Sequence, residues 1–186
     1  SNYSLTSTSA ATTANITAKG LVIGITAANK VYDGNANAAT TAAIASGLVS
    51  GDVVTVASAN GAFNNKNVGT AKPVTADVSI SGGADAGNYS ANTSAAASAD
   101  ITAKSVTAAI VAQNKVYDGN ATASATGSVP TASIISGDAV NVAVSNAAFD
   151  NKNVGTGKPV TATVAIDNSN YSLTSTSAAT TANITA

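Results

Sequence analysis

Residues 1 to 18, SNYSLTSTSAATTANITA, return letter for letter at 169 to 186. An exact period of 168 positions (169 − 1) reads as a window on a tandem array. Two motifs recur at about half that spacing. NKVYDGN stands at 29 to 35 and again at 114 to 120, 85 positions on (114 − 29), and NKNVGT stands at 65 to 70 and 151 to 156, 86 positions on (151 − 65). A unit of about 84 residues is too long for most solenoid repeats and suits a small domain. The expected layout is therefore a terminal strand of a preceding repeat at 1–18, a first β-domain at 19–104 and a second at 105–186.

Period-two alternation runs through both units. Val74, Ala76, Val78 and Ile80 alternate with Thr75, Asp77 and Ser79, and Val160, Ala162, Val164 and Ile166 repeat the pattern. Such alternation marks half-buried strands. Leu21, Ile23 and Ile25 behave alike, as do Val54 and Val56. The Ala-rich stretch at 36–45 leaves room for one short helical turn near 40–46, although Thr and Asn interrupt it. Gly34 and Gly119, each after an Asp, suit tight turns, and Ser50-Gly51-Asp52 and Ser136-Gly137-Asp138 mark a second reversal. Pro73 and Pro159 are expected at the first residue of a strand, where a missing N–H matters least. The predicted fold is all-β, as tandem antiparallel β-sandwich (Ig-like) domains of roughly six or seven strands. A β-grasp-like repeat with one short helix is the alternative.

The Ala103-Lys104-Ser105 link is too short for a flexible linker, so the domains are expected end to end as a stiff rod. Residues 1–18 are expected to be ordered by pairing with an exposed sheet edge, in this molecule or a neighbour.

Composition narrows the function. The chain has eight Lys and nine Asp, with no Arg, Glu, His, Cys, Met or Trp. Charged residues are 9% of the total, against roughly 25% in an average domain. A net charge of −1 without basic clusters argues against nucleic acid, and no apolar run is long enough for membrane insertion. Missing thiols suit a bacterial protein exported unfolded, and localisation is expected to be extracellular or at the cell surface. Acid–base and nucleophilic catalysis would rest on Asp, Lys, Tyr, Ser and Thr alone, so no enzyme, cofactor or metal site is expected. Asp33 and Asp118 read as turn carboxylates bonding backbone amides rather than as catalysts. The aromatic residues fall at matching places in the units and read as core. A Lys–Asn crosslink through Lys30 or Lys66 would have only Asp to catalyse it, and the Thr show no short fixed period that would order ice.

The ordered string NKVYDGN, SGD, F-x-NKNVGT-x-KPVT and GADAGNYS resembles the YDG repeat of large bacterial surface adhesins. That class includes the filamentous-haemagglutinin-like proteins exported by two-partner secretion. Both units match along nearly their whole length. Tyr32, Asp33, Gly34 and Tyr117, Asp118, Gly119 occupy the name-giving turn. Lys66, Asn67, Gly69 and Lys152, Asn153, Gly155 occupy the second hallmark. Asn35 and Asn120 stand where the family often has Thr, and the second unit shortens GADAGNY to DNSNY. The resemblance implies structural stalk repeats that project an adhesive region or build matrix. Their expected partners are neighbouring repeats. Two other readings stand beside it: weak multivalent binding of a host or matrix glycan or protein, and strand-exchanging, self-associating units of an extracellular filament.

Overall fold

The computed structural model describes residues 2–4 and 6–186. Seven strands form the first repeat: β1 (Lys19–Ala27), β2 (Lys30–Val31), β3 (Thr40–Ser46), β4 (Thr55–Phe63), β5 (Gly69–Gly82), β6 (Tyr89–Ala91) and β7 (Ser94–Thr102). Eight form the second: β8 (Lys104–Val106), β9 (Ala109–Ala112), β10 (Lys115–Val116), β11 (Ala125–Ser128), β12 (Val142–Phe149), β13 (Gly155–Ile166), β14 (Tyr171–Leu173) and β15 (Ser177–Thr185). The extra strand is one strand divided, because β8 and β9 together hold the place of β1.

Alternation builds the central strands as expected. Along β5, Lys72, Val74, Ala76 and Val78 are buried while Pro73, Thr75, Asp77 and Ser79 are exposed, and β13 repeats the pattern. Each repeat carries a curled sheet of order β2-β7-β5-β4 or β10-β15-β13-β12. The other sheet is β3-β1-β6 in the first repeat and is split into β11-β9 and β14-β8 in the second.

The pairing is not antiparallel throughout. β1 runs parallel to β6 and β2 parallel to β7, and β8·β14 and β10·β15 repeat both arrangements. These partners are two or three residues long on one side, too short for periodicity to reveal direction, and the chain between them is long enough for a parallel return. Residues 40–46 are strand rather than helical turn. Thr40, Ala42 and Ile44 turn their half-buried side toward the core, and pairing with β1 overrides the helix propensity of Ala. Among the described residues the only helical pieces are 3₁₀ turns at Ala86–Asn88 and Thr131–Ser133, which leaves the β-grasp alternative without its helix.

Pro73 and Pro159 lie inside β5 and β13, opposite Ser98 and Thr181. Just before each proline the register shifts at a bulge, where Ala71 takes φ +47° and Gly157 φ +60°. The proline therefore follows a break in the ladder rather than interrupting a regular one.

The two copies of the 18-residue sequence part company. Ser1 and Leu5 lie outside the described residues, and the other sixteen form no strand and are exposed. Edge pairing is thus not what this segment does in the single chain. In the second copy Tyr171 and Ile184 are buried, at 4% and 1% exposure, where Tyr3 and Ile16 are at 94% and 102%. Position rather than sequence makes the difference, because the slots for this sequence are already filled by β6 and β7 in one repeat and by β14 and β15 in the other.

Leu21, Ile23, Val78 and Tyr89 form a buried cluster within the first repeat. Phe149, Val160, Ala182 and Ile184 form one within the second. The largest cluster belongs to neither alone. It joins Tyr32, Phe63, Val74, Ala99 and Ile101 of the first repeat to Val106, Val129 and Tyr171 of the second. Burying a large apolar side chain contributes roughly 1.5–3 kcal/mol, so the junction is held by core packing and not by a tether.

Candidate functional site

The NKVYDGN segment is arranged around its lysine. Lys30 Nζ donates to the backbone carbonyls of Asn35 and Asn37 at 2.9 and 3.0 Å and to Asn35 Oδ1 at 3.0 Å. It also pairs with Asp33 at 2.7 Å and lies 5.8 Å from the centre of the Phe63 ring. One ammonium thus gathers a turn of acceptors over an aromatic face. Lys115 does the same with Asp118, Asn120, Thr122 and Phe149. Burial works against ionisation of Asp33, but Lys30 and the Asn35 N–H hold its carboxyl below the usual range, and Lys115 acts first at Asp118. The two aspartates are turn carboxylates in the geometry seen.

Once the turn is set, its tyrosine is presented outward to the next repeat. The Tyr32 N–H is fixed by the Thr102 carbonyl at 2.8 Å, and the ring is 2% exposed. It meets Tyr171 edge-on, with centroids 5.6 Å apart and planes at 71°. Both phenols donate to one oxygen, Asp138 Oδ2, at 2.8 Å from Tyr32 and 2.9 Å from Tyr171. Tyr171 Oη in turn accepts the Ile135 N–H at 2.9 Å. Lys66 Nζ lies 3.5 Å from Asp138 Oδ1 and 6.0 Å from the centre of the Tyr32 ring. Asp138 is only one-tenth exposed, and its charge is met by two hydroxyls and an ammonium.

These contacts set the protonation states. The Tyr32 hydroxyl first, then Tyr171 and Lys66, hold Asp138 below the ordinary carboxylate value despite its burial. Burial first, with Asp138 adding to it, pushes both Tyr32 and Tyr171 up. Carboxylate and neutral phenols are the forms that fit together.

Gly34 takes φ +84°, the left-handed region in which glycine is at ease. A Cβ there would also lie 2.6 Å from Ile135 Cγ2, so the turn sits directly on the second repeat. Across the NKNVG loop, Asn170 Oδ1 accepts the Val68 N–H at 2.9 Å and Asn170 Nδ2 donates to Asn67 Oδ1 at 3.2 Å. Gly69 allows Lys72 to lie alongside it, where an added Cβ would be 3.2 Å from Lys72 Cδ, and Lys72 Nζ donates to Asn65 Oδ1 at 2.8 Å.

The first set of hallmark residues thus divides into Asp33 and Gly69, which shape their own loops, and Tyr32, Gly34, Lys66 and Asn67, which meet the second repeat. The second set keeps the local roles and lacks the others. Asp118 pairs with Lys115, Asn153 donates its N–H to Asn151 Oδ1 at 3.0 Å, and Gly155 lies beside Lys158. Tyr117 is 47% exposed, Gly119 has nothing within 4 Å of a built Cβ, and Lys152 is exposed.

Sequence reading missed Asp138, Tyr171, Ile135 and Asn170 as partners of the YDG turn. The repeated SGD and NY motifs were visible, but nothing in one chain's letters says that a turn of one repeat reaches the reversal of the next. Among the described residues no three His, Cys, Asp or Glu side chains are grouped to hold a metal ion. The arrangement is a joint, and its chemistry is hydrogen bonding and packing.

Comparison with known families matches the YDG domain twice, over residues 12–97 and 102–180. No curated protein and no solved structure matches the chain. Both matches span the turn, the reversal and the NKNVG loop that build the joint, and the chain belongs to the YDG domain family, of which it carries two tandem copies.

Proposed function

We propose that these repeats are structural, a length of stalk in a bacterial cell-surface or secreted adhesin. In this reading they are Ig-like β-sandwich units set end to end as a rod, which projects an adhesive region or builds matrix. The observation that carries the reading is the shared core. Tyr32 is buried against the neighbouring repeat, and Asp138, Lys66 and Asn170 bond across the same junction. A junction so packed resists bending, which a spacer needs and a freely jointed binding array does not. The absence of Cys and the low charge suit an exported chain.

Small-angle scattering of the chain tests stiffness. A single elongated particle, which becomes a broad distribution of shapes in Tyr32→Ala, is the expected result. An equally broad distribution in the unmodified protein would sink the rod. Titration against host and bacterial polysaccharides tests the spacer role, and saturable binding to the repeats would replace it with recognition.

A further inference from the structure

A cavity of ≈ 260 Å³ opens at the outer end of the first repeat, lined among others by Ile16, Thr17, Val49, Asp52, Asn88 and Tyr89. Superposing the motifs of the two repeats matches these six to Ile101, Thr102, Ile135, Asp138, Asn170 and Tyr171. Those are the residues that surround Tyr32 at the internal junction. The likeness extends to the bonds. Tyr89 Oη donates to Asp52 Oδ2 at 2.6 Å and accepts the Val49 N–H at 3.0 Å, as Tyr171 does with Asp138 and Ile135. What the outer site lacks is a second tyrosine.

The other end of the molecule presents one. Tyr117 is the counterpart of Tyr32, half exposed, and its hydroxyl has no hydrogen-bond partner among the described residues. On the same repeat Lys152 and Val154 are exposed, the counterparts of Lys66, which pairs with Asp138, and of Val68, whose N–H is taken by Asn170. The second repeat therefore offers a phenol, an ammonium and a backbone amide, and the first a carboxylate, an Asn side chain and a cavity.

We propose that the Asp52 cavity is the socket for a Tyr-Asp-Gly turn of another repeat, which the Tyr117-Asp118-Gly119 turn of a second copy of this chain can fill, so that copies join head to tail through the contacts of the internal junction. This rests on the stalk reading and deepens it by giving successive repeats one common junction. The interface is heterologous, with different surfaces on the two partners, so it propagates instead of closing into a dimer.

The duplicated sequence supplies the remaining step. At the internal junction the Tyr32 N–H goes to the Thr102 carbonyl, and Thr17 holds the place of Thr102 in the outer socket. Full engagement passes the Tyr117 N–H from Thr185, which now takes it at 2.8 Å, to Thr17 of the other copy. Ser9–Thr17 then replaces Ser177–Thr185 in β15's slot, and since the two segments are identical every side-chain contact of the slot is restored. The arriving strand also continues without a break into β1 of its own copy, as β7 continues into β8.

Sedimentation velocity at concentrations up to about 1 mM tests the pairing, the range in which small interfaces become populated. The unmodified protein is expected to grow past the dimer, while Tyr117→Ala, which keeps the socket, and Asp52→Ala, which keeps the turn, each stay monomeric. An equimolar mixture of the two has one good turn and one good socket, and is expected to give a 1:1 dimer and nothing larger. Circular dichroism melts check that both variants fold, and Val49→Arg blocks the mouth of the cavity should Asp52→Ala prove unstable. A monomeric unmodified protein, assembly by Tyr117→Ala equal to the unmodified level, or a mixture that forms no dimer each overturn the socket. None of these variants touches the internal junction, so the stalk reading stands or falls separately on the scattering of the single chain.

Discussion

At the bulge in β5 and β13 the two repeats have made the same bend with different residues. Ala71 holds φ +47° where its counterpart Gly157 holds φ +60°. A side chain in the left-handed region costs about 1–2 kcal/mol, and glycine gives back roughly 0.5–1 kcal/mol of that through its freer unfolded chain. Ala71→Gly is expected to stabilise the first repeat by about 0.5–1 kcal/mol in urea titration, and Gly157→Ala to weaken the second by as much. No steric clash confuses the second variant, since a Cβ at Gly157 meets nothing within 4 Å. Tyr32 offers the opposite kind of test, because its cost is packing. Tyr32→Phe removes the hydroxyl from Asp138 and is expected to cost about 1 kcal/mol. Tyr32→Ala empties the joint and should cost about 3–5 kcal/mol, read from the same titration. A near-zero effect of Tyr32→Ala would mean that the ring contributes nothing to the joint it fills.

Among the elements, β5 and β13 were legible because one face is buried and the other wet, and that asymmetry writes period two into the sequence. The same rule says nothing of Lys30–Val31 or Tyr89–Ala91, whose two or three residues fix neither direction nor partner. The YDG turn was found by its repetition, and its Asp was assigned to the turn, where Asp33 Oδ1 accepts the Asn35 N–H. Its Tyr was assigned to core packing in general, because the receiving residues lie 106 positions away at Asp138 and 139 away at Tyr171 (138 − 32 and 171 − 32). The 18-residue duplication is the limit of such reading, since identical letters are exposed in one place and paired in another. Hydrogen exchange on the monomer makes this a controlled comparison, because intrinsic rates for Ser9–Thr17 and Ser177–Thr185 are the same. Amides of the first are expected to exchange unprotected and those of β15 to be retained for far longer. Equal protection of both would show that the N-terminal segment has found a partner.

For the whole molecule, a core shared across the junction implies that the repeats unfold together. One transition is expected on heating, and Tyr32→Ala should split it into two, checked by calorimetry. The joint also sets a pH window. Asp138 is depressed in the folded chain, so its stabilisation is complete above the ordinary value of 3.8 and is lost as pH falls below it. Tyr32 and Tyr171 are raised, so theirs is complete below 10.0 and is lost as pH rises beyond it. Thermal stability is expected to hold a plateau between these limits and to fall on both sides, with the fall reduced on both sides in Tyr32→Phe.

The parallel pairings have a mechanical meaning. Tension applied along the chain pulls β1 backward past β6 and β7 forward past β2, each sliding along its own axis. Hydrogen bonds so arranged share the load and must rupture together, whereas a hairpin peeled from its end gives way one bond at a time. Force therefore enters and leaves each repeat through shear, and the short strands that periodicity could not read are the ones that would carry it.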